Sequence, residues 1–225
     1  MKILALDTST EHCSVALWRD ASVDSREAAA GQTHSQLLLP MVDELLKRHG
    51  LALKDLDGIA FGHGPGTFTG LRIACGVTQG LALGSSLPVV GVSTLLALAE
   101  AAQSERVVCC LDARMGEIYH AAYVRSDGDW HTVHEATLCA PEAAPLLPEG
   151  MWVACGGGFS VHGAALSKRY AGRLSELRAE AYPHACQIAA LAVRRFEQGK
   201  GVPAEQALPV YIRDKVALRT DERAT

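Results

Sequence analysis

The residues Gly62 to Arg72, GHGPGTFTGLR, have the composition of a turn that could bind phosphate. They follow an apolar run, 57–61, that predicts a strand, and they precede a long apolar segment that predicts a helix. Nucleotide-binding proteins cradle phosphate with a strand, a glycine-rich turn and a helix in this order. However, Gly70 is followed by Leu71 and Arg72, where a P-loop has Lys and Ser or Thr, and the dinucleotide motif Gly-x-Gly-x-x-Gly also fails. The turn is therefore a weak phosphate candidate that retains only a nest of backbone N–H groups.

A second candidate ends the first predicted strand, in the residues Asp7, Thr8 and Ser9. In actin-like and sugar-kinase-like ATPases, an Asp at this place, followed by hydroxyl residues and a hairpin, binds metal and phosphate. Those turns normally contain a glycine that lets the backbone approach the phosphate. Here Ser9 replaces that glycine, and the matching turn from Asp112 to Met115 has no hydroxyl. Two interpretations stay open: a vestigial phosphate turn that binds a cofactor, or a structural turn stabilised by its own side chains.

No set of residues predicts a catalytic acid, base and nucleophile. The run from Gly158 to Gly163 resembles the nucleophile elbow of hydrolases, but its closing glycine is one place late. His131 and His134 are three apart in a predicted strand and point to opposite faces, which argues against a shared metal ion. His34 and His63 are isolated, as surface and core histidines usually are. We therefore predict neither catalytic residues nor a metal site.

Three glycines lie four residues apart in the helix that follows the glycine-rich turn: Gly76, Gly80 and Gly84. This spacing places them on one helical face. Each costs about 1 kcal/mol of stability relative to alanine inside a helix. We therefore expect this face to approach another backbone closely, either within the domain or across a subunit boundary.

The elements that position these residues occur in two passes of one pattern. Each pass has a strand ending in Asp, a turn, two more strands, a helix (in the second pass the Pro-bounded segment 141–148), and a strand ending in a glycine turn. The predicted strands are 2–6, 13–18, 23–28 and 57–61 in the first pass, and 107–111, 117–125, 130–134 and 151–155 in the second. Helices are predicted between Thr33 and His49, with the regular part beginning close to Pro40, after the glycine-rich turn, and over Ala185 to Phe196.

This repetition predicts two related α/β subdomains, 1–104 and 105–225, with a cleft between them. The first carries the helices described above, and the last helix is free to pack back on it. The polar tail after Ala217 is expected to be loose.

The bulk composition is that of an ordinary globular protein. The 225 residues are 48% hydrophobic and 20% charged, with a net charge of −4. Neither half is basic, which argues against direct binding of RNA or DNA through phosphate neutralisation. The seven cysteines form no Cys-x-x-Cys pair, and the sequence shows no leader or membrane-spanning stretch. We expect reduced cysteines and a cytoplasmic location without a membrane partner.

Five motifs together resemble the TsaB (YeaZ) family: MKILALDTST at 1–10, HSQLLLP at 34–40, GPGTFTGLRI at 64–73, LDARMGEIY at 111–119 and PVYIR at 209–213. They cover nearly the whole chain in family order. The resemblance implies an α/β, duplicated actin-like and Hsp70-like (ASKHA) fold, in which each subdomain has a mixed sheet flanked by helices.

The resemblance also implies a non-catalytic scaffold in the complex that makes threonylcarbamoyladenosine beside the anticodon of tRNA. The chain would dimerise with TsaD, which carries the metal and transfers the threonylcarbamoyl group, and would recruit the ATPase TsaE. It would meet tRNA only through the complex, and it could form a homodimer when alone. The implied partner surface is the helix pair 35–47 and 69–83. Its candidate residues are Leu37, Leu38, Met41, Leu45, Arg72, Gly76 and Gly80.

No cofactor of the chain's own is expected. Weak nucleotide binding, or a nucleotide at the shared interface of the complex, stays open. The competing interpretations are a stand-alone ATP-binding, kinase-like enzyme and, ranked last, a peptidase.

Overall fold

The computed structural model describes residues 1–213 and consists of two five-stranded mixed sheets with the same strand order. The first sheet has the order β3-β2-β1-β4-β5, and its strands are Lys2–Asp7, His12–Arg19, Ser22–Ala29, Gly58–Gly64 and Val89–Ser93, numbered β1 to β5. The second has the order β8-β7-β6-β9-β10, and its strands are Arg106–Arg114, Glu117–Ser126, Asp129–Cys139, Trp152–Cys155 and Leu174–Arg178, numbered β6 to β10.

Five helices accompany the sheets. They are α1 His34–Arg48, α2 Phe68–Ser85, α3 Thr94–Ala102, α4 Gly158–Arg169 and α5 Ala185–Glu197. In each half the first three strands are antiparallel, and the remaining two pair parallel to the first strand and to each other. This repeated topology is the duplicated actin-like fold, so that expectation is confirmed.

The first strand of each half is buried on both faces, because helices cover both sides of its sheet. In β1, Leu4 and Leu6 pack with residues of α1 and α2, whereas Ile3 and Ala5 pack against α5. The alternation follows from the period of two in a strand, which sends successive side chains to opposite faces. The run KILAL is therefore apolar throughout, as buried central strands usually are.

The covering helices are exchanged between the halves. The last helix of the chain, α5, buries Ile188, Ala189 and Ala192 on the first sheet. The helix α3, which ends the first half, buries Leu95 and Leu98 on the second sheet. Each half therefore depends on a helix of the other to bury one face of its sheet.

The helix α1 lies within its predicted range, Thr33 to His49, but the expectation that its regular part begins close to Pro40 is wrong, because the helix is regular from His34 and contains the proline. The ring Nε2 of His34 bonds the carbonyl of Thr10 at 2.9 Å, which anchors the first turn. Pro40 and the residue four places earlier, Gln36, are both exposed, so water can satisfy the carbonyl that the proline leaves without a donor.

Among residues 1–213, no helix combines the length and apolar character needed to cross a membrane. The expectation of a loose tail after Ala217 lies outside the described residues.

Candidate functional site

A cleft of about 450 Å³ lies between the two halves. One side is formed by residues 9–12, at the β1–β2 turn and the start of β2, together with residues 65–68 between β4 and α2. The other side is formed by the end of β6 and the turn after it, residues 111–115, together with Gly157 and Ser160 at the start of α4. The two turns singled out from the sequence therefore meet at one edge of this cleft.

The first turn is held by its own side chains. Asp7 and Thr8 have no exposed surface, and only Ser9 of the three lines the cleft. The Oδ1 atom of Asp7 accepts hydrogen bonds from the Ser9 backbone N–H at 3.1 Å and from the Ser9 hydroxyl at 2.8 Å. The Thr8 hydroxyl donates to the carbonyl of Gly70 at 2.7 Å. The three candidate cofactor residues thus form a closed local network, and two of them have no access to the cleft.

The glycine-rich turn packs directly on this network. A Cβ atom at Gly66 would lie 2.5 Å from the carbonyl oxygen of Ser9, and one at Gly70 would overlap the carbonyl oxygen of Thr8. The backbone N–H of Thr67 donates to that same Ser9 carbonyl at 2.8 Å. These glycines therefore allow two protein backbones to touch, whereas a phosphate cradle would leave that space to a ligand.

Burial changes the electrostatics of the first turn. Desolvation raises the pKa of Asp7 from 3.8 to about 7, although the two hydrogen bonds from Ser9 act in the opposite direction. Its Oδ2 atom has no hydrogen-bond partner among the described residues. A Cβ atom at Gly62 would collide with this oxygen, so β4 requires glycine there. Asp7 is therefore a buried acid that keeps its proton up to about neutral pH, rather than an exposed carboxylate.

The matching turn of the second half is built in the same way. Asp112 Oδ1 accepts from the Arg114 backbone N–H at 3.1 Å and lies 3.3 Å from Nε2 of His162. Behind it, Gly156, with φ of +108°, and Gly158 pack against the Cys110 carbonyl. The duplication has therefore preserved a glycine-on-backbone contact on both sides of the cleft.

The predicted partner residues divide into two groups. Leu38 and Leu45 are fully buried in the core of the first half. They cannot contact a partner, so their assignment to the interface is wrong. The helical period that places Leu37 and Met41 at the surface turns these two leucines toward the sheet.

The remaining candidates are accessible. Leu37 and Met41 of α1 are half-buried, and Arg72, Gly76 and Gly80 of α2 are exposed. We refer to this surface, together with Gly84, as the α1–α2 face. A Cβ atom at Gly76, Gly80 or Gly84 would meet no heavy atom of the described residues within 4 Å. The close approach that this spacing predicts is therefore not made by residues 1–213.

A segment that sequence reasoning did not assign lies beside this face. Residues Ala207–Arg213, which we call the C-terminal strap, run from α2 across the mouth of the cleft, and Val210 to Arg213 line it. The Val210 N–H donates to the carbonyl of His63 at 2.7 Å, and Arg72 donates to the Tyr211 hydroxyl at 2.9 Å. The motif at 209–213 was visible in the sequence, but its contacts with the first half span more than 130 residues, and no local pattern could have revealed them.

The two isolated histidines singled out from the sequence have structural positions. His34 anchors α1 as described above, and His63 is half-buried in β4. Among residues 1–213, no group of three or more His, Cys, Asp or Glu side chains is arranged to hold a metal ion.

Comparison with known proteins gives one consistent result. The family model described as "TsaD: tRNA N6-adenosine threonylcarbamoyltransferase" matches residues 27–219. The tRNA threonylcarbamoyladenosine biosynthesis protein TsaB of Escherichia coli is 40% identical, over 97% of each chain. The TsaB of Haemophilus influenzae is 38% identical, over 97% of this chain and 96% of its own. The chain belongs to the TsaB family.

A solved TsaB-family structure supports the same conclusion. The structure of YeaZ from Pseudomonas aeruginosa is 42% identical in sequence, with a TM-score of 0.87. It covers 93% of this chain and 99% of its own. The TsaB family and its fold, expected from the sequence motifs, are thus confirmed over nearly the whole chain.

The raised pKa of Asp7 predicts an unusual pH dependence of stability. Between pH 4 and pH 7 the folded chain keeps a proton on Asp7 that the unfolded chain has lost, so stability falls as the pH rises through this range. Asp7→Asn removes the charge and should be more stable than the parent protein at pH 8, with the advantage shrinking toward pH 5. The full difference is up to about 4 kcal/mol, at about 1.4 kcal/mol per pH unit.

Urea unfolding at several pH values measures this difference. Asp20→Asn, at an exposed position, is the matched control, and its free energy of unfolding should change with pH as that of the parent protein does. If the free energy of unfolding of Asp7→Asn also follows the parent protein at every pH, the pKa of Asp7 is not raised.

The helix α2 contains two glycines, Gly70 and Gly76, for which replacement by alanine should have opposite effects on stability. Gly70→Ala places a methyl group on the Thr8 carbonyl and should destabilise the fold by about 1–3 kcal/mol or more. Gly76→Ala meets open space and should stabilise it by up to about 1 kcal/mol, the helix propensity difference. Urea midpoints give both values, and a shift of the same sign in both variants would contradict the packing described above.

Proposed function

We propose that the protein acts in the biosynthesis of threonylcarbamoyladenosine in tRNA as a non-catalytic subunit that docks its α1–α2 face on TsaD. The observation that carries the proposal is the row formed by Gly76, Gly80 and Gly84, which we call the glycine stripe. It is exposed, helical and without a neighbour within 4 Å in the described chain. Membership of the TsaB family supplies the pathway, since the relatives are named for this biosynthesis.

The energetics of α2 favour a protein partner. Three glycines cost the free chain about 3 kcal/mol relative to alanine, at about 1 kcal/mol each. In return, a partner helix can cross α2 at short interaxial distance, because the separation of packed helices depends on the side chains at the contact. Apolar residues flank the stripe, with Ile73 and Val77 half-buried and Leu83 73% exposed. Docking would bury these residues together with the glycines.

The geometry of the cleft supports a non-catalytic role for this subunit. In the first half, Gly66 of the glycine-rich turn packs on the Ser9 carbonyl, so this glycine makes a protein contact. The strand-end carboxylate, Asp7, is sealed below that contact. The proposal therefore assigns threonylcarbamoyl transfer to TsaD, and it gives this chain no cofactor of its own.

The remaining roles follow from the same assignment. The net charge of −4 gives the chain little attraction for tRNA phosphates, so tRNA would be bound through the complex. TsaE would join the assembled pair, and the complex would work in the cytoplasm. When TsaD is absent, the α1–α2 face of a second copy would cover the stripe as a homodimer.

Reconstitution tests the proposed function. Omitting only this protein from a mixture that modifies tRNA should remove the product, and adding it back should restore product. A stand-alone ATP-using enzyme would instead hydrolyse ATP without TsaD and lose that activity in Asp7→Ala. Full product in the mixture without this protein would rule out the proposed role.

A variant of the stripe tests the proposed surface. Gly80→Phe places a ring where a partner backbone should pass, so it should abolish co-purification with TsaD while leaving the melting temperature close to that of the parent protein. Gly163→Phe is the matched control, since Gly163 lies in α4 of the other half and also has no neighbour within 4 Å. Equal binding by the parent protein and Gly80→Phe would move the interface elsewhere.

A further inference from the structure

The surroundings of α2 make the glycine stripe the base of a groove. At about 100° per residue, Cys75 and Gln79 project from one side of the helix, and Ile73 and Val77 project from the other. The first pair bonds the strap, because both side chains donate to the Ala207 carbonyl, at 3.1 Å and 2.7 Å. The second pair packs in the same core cluster as Leu37 and Met41 of α1. The stripe therefore lies between the strap on one side and α1 on the other.

The strap is fixed at both ends, so it can act as a rigid side of this groove. On the first half, the Val210 N–H bonds the His63 carbonyl, and the Val210 carbonyl lies 2.6 Å from the position of a Cβ atom at Gly64, where φ is +121°. On the second half, Arg213 pairs with Glu117 at 2.7 Å and donates to the Ala113 carbonyl at 3.0 Å. The Arg213 side chain is only 13% exposed.

The side chain of Arg72 lies where the C-terminal strap meets the glycine stripe. The Nε of Arg72 donates to the Tyr211 hydroxyl at 2.9 Å, and its guanidinium carbon lies 3.7 Å from the centre of the Phe68 ring. Within residues 1–213, neither Nη atom of Arg72 forms a hydrogen bond or an ion pair. Tyr211 and Phe68 thus fix the plane of the guanidinium and leave its outer edge free to donate two parallel hydrogen bonds.

We propose that the C-terminal strap is the second side of the docking groove, and that a carboxylate of the partner binds the outer edge of Arg72, with Tyr211 as its positioning residue. This inference rests on the proposed function and extends it to a segment outside the α1–α2 face. An Arg stacked on one aromatic ring and hydrogen-bonded to the hydroxyl of a second, next to apolar surface, has the composition of an interface hot spot.

The distribution of exposed apolar side chains agrees with this extension. Five of the thirteen exposed large hydrophobic residues lie on α2 and the strap, which together are a small part of the described chain. They are Phe68, Leu83, Leu208, Val210 and Tyr211. The surface that a partner would cover therefore continues from the helices onto the strap.

The charges favour a different protein over a second copy as the tight partner. Neither α2 nor the strap contains an acidic residue. On α1, Asp43 is paired with Lys47 at 2.6 Å, and Glu44 is paired with Arg26 at 3.1 Å. A second copy would therefore offer Arg72 no free carboxylate from these elements, whereas a partner with an acidic residue on its docking helix would complete the site.

Titration of the full-length protein with purified TsaD tests the proposal. Arg72→Gln should raise the dissociation constant by about 30-fold or more, as loss of a hot-spot residue does. Tyr211→Phe keeps the ring, removes the hydrogen bond to Arg72 and should weaken binding by about 3- to 10-fold. In the Arg72→Gln background, Tyr211→Phe should have no further effect, because Tyr211 acts through Arg72. Arg114→Gln, at an 82% exposed arginine of the second half, is the matched control and should bind like the parent protein.

The outcomes separate this inference from the function on which it rests. If Gly80→Phe abolishes binding while Arg72→Gln and Tyr211→Phe change it less than 2-fold, the strap is not part of the interface and the proposed function stands. If Tyr211→Phe weakens binding equally in both backgrounds, Tyr211 contacts the partner itself, and its positioning role is wrong. If the parent protein does not bind TsaD, the proposed function fails as well. The side chains of Arg72 and Tyr211 are exposed, so Arg72→Gln and Tyr211→Phe should leave the melting temperature unchanged.

Discussion

The contact between the backbone of the first turn and that of the glycine-rich turn, at the edge of the cleft, positions the elements around it. The carbonyl groups of Thr8 and Ser9 lie against Gly66 and Gly70, and no side chain fits between them. This contact joins the end of β1 to the start of α2, so it sets the direction in which α2 leaves the sheet. One steric constraint thus joins the two turns and orients the helix that presents the glycine stripe.

The sequence was sufficient for most of the strands and helices and for the duplication, because these depend on local periodicity, but it did not predict α4 or β10. It also located the glycine stripe, although not what surrounds it. The range of α1 was predicted correctly, but not that its first turns before Pro40 are regular, which the tertiary bond from His34 to Thr10 helps to hold. Leu38 and Leu45 were misassigned because apolar residues at helical spacing look alike in sequence, whether they face the core or a partner.

The closed turn and the strap could not have been predicted from the sequence for a different reason. A glycine in a turn indicates that something comes close, but the pattern does not say whether it is a phosphate or a protein backbone. Likewise, Tyr211 meets Arg72 across 139 positions of sequence. Only the folded chain shows that Gly66 faces the Ser9 carbonyl and that residues 207–213 return to α2.

The exchange of α3 and α5 between the halves has a consequence for how this protein can change over evolutionary time. Ile3 and Ala5 of the first sheet are covered by a helix from the end of the chain, and Val107 and Cys109 of the second by a helix encoded before it. Loss or transfer of either half alone would expose one face of the sheet that remains. The two halves are therefore expected to be retained together as one cooperative folding unit, with α2 on a surface that neither exchanged helix covers.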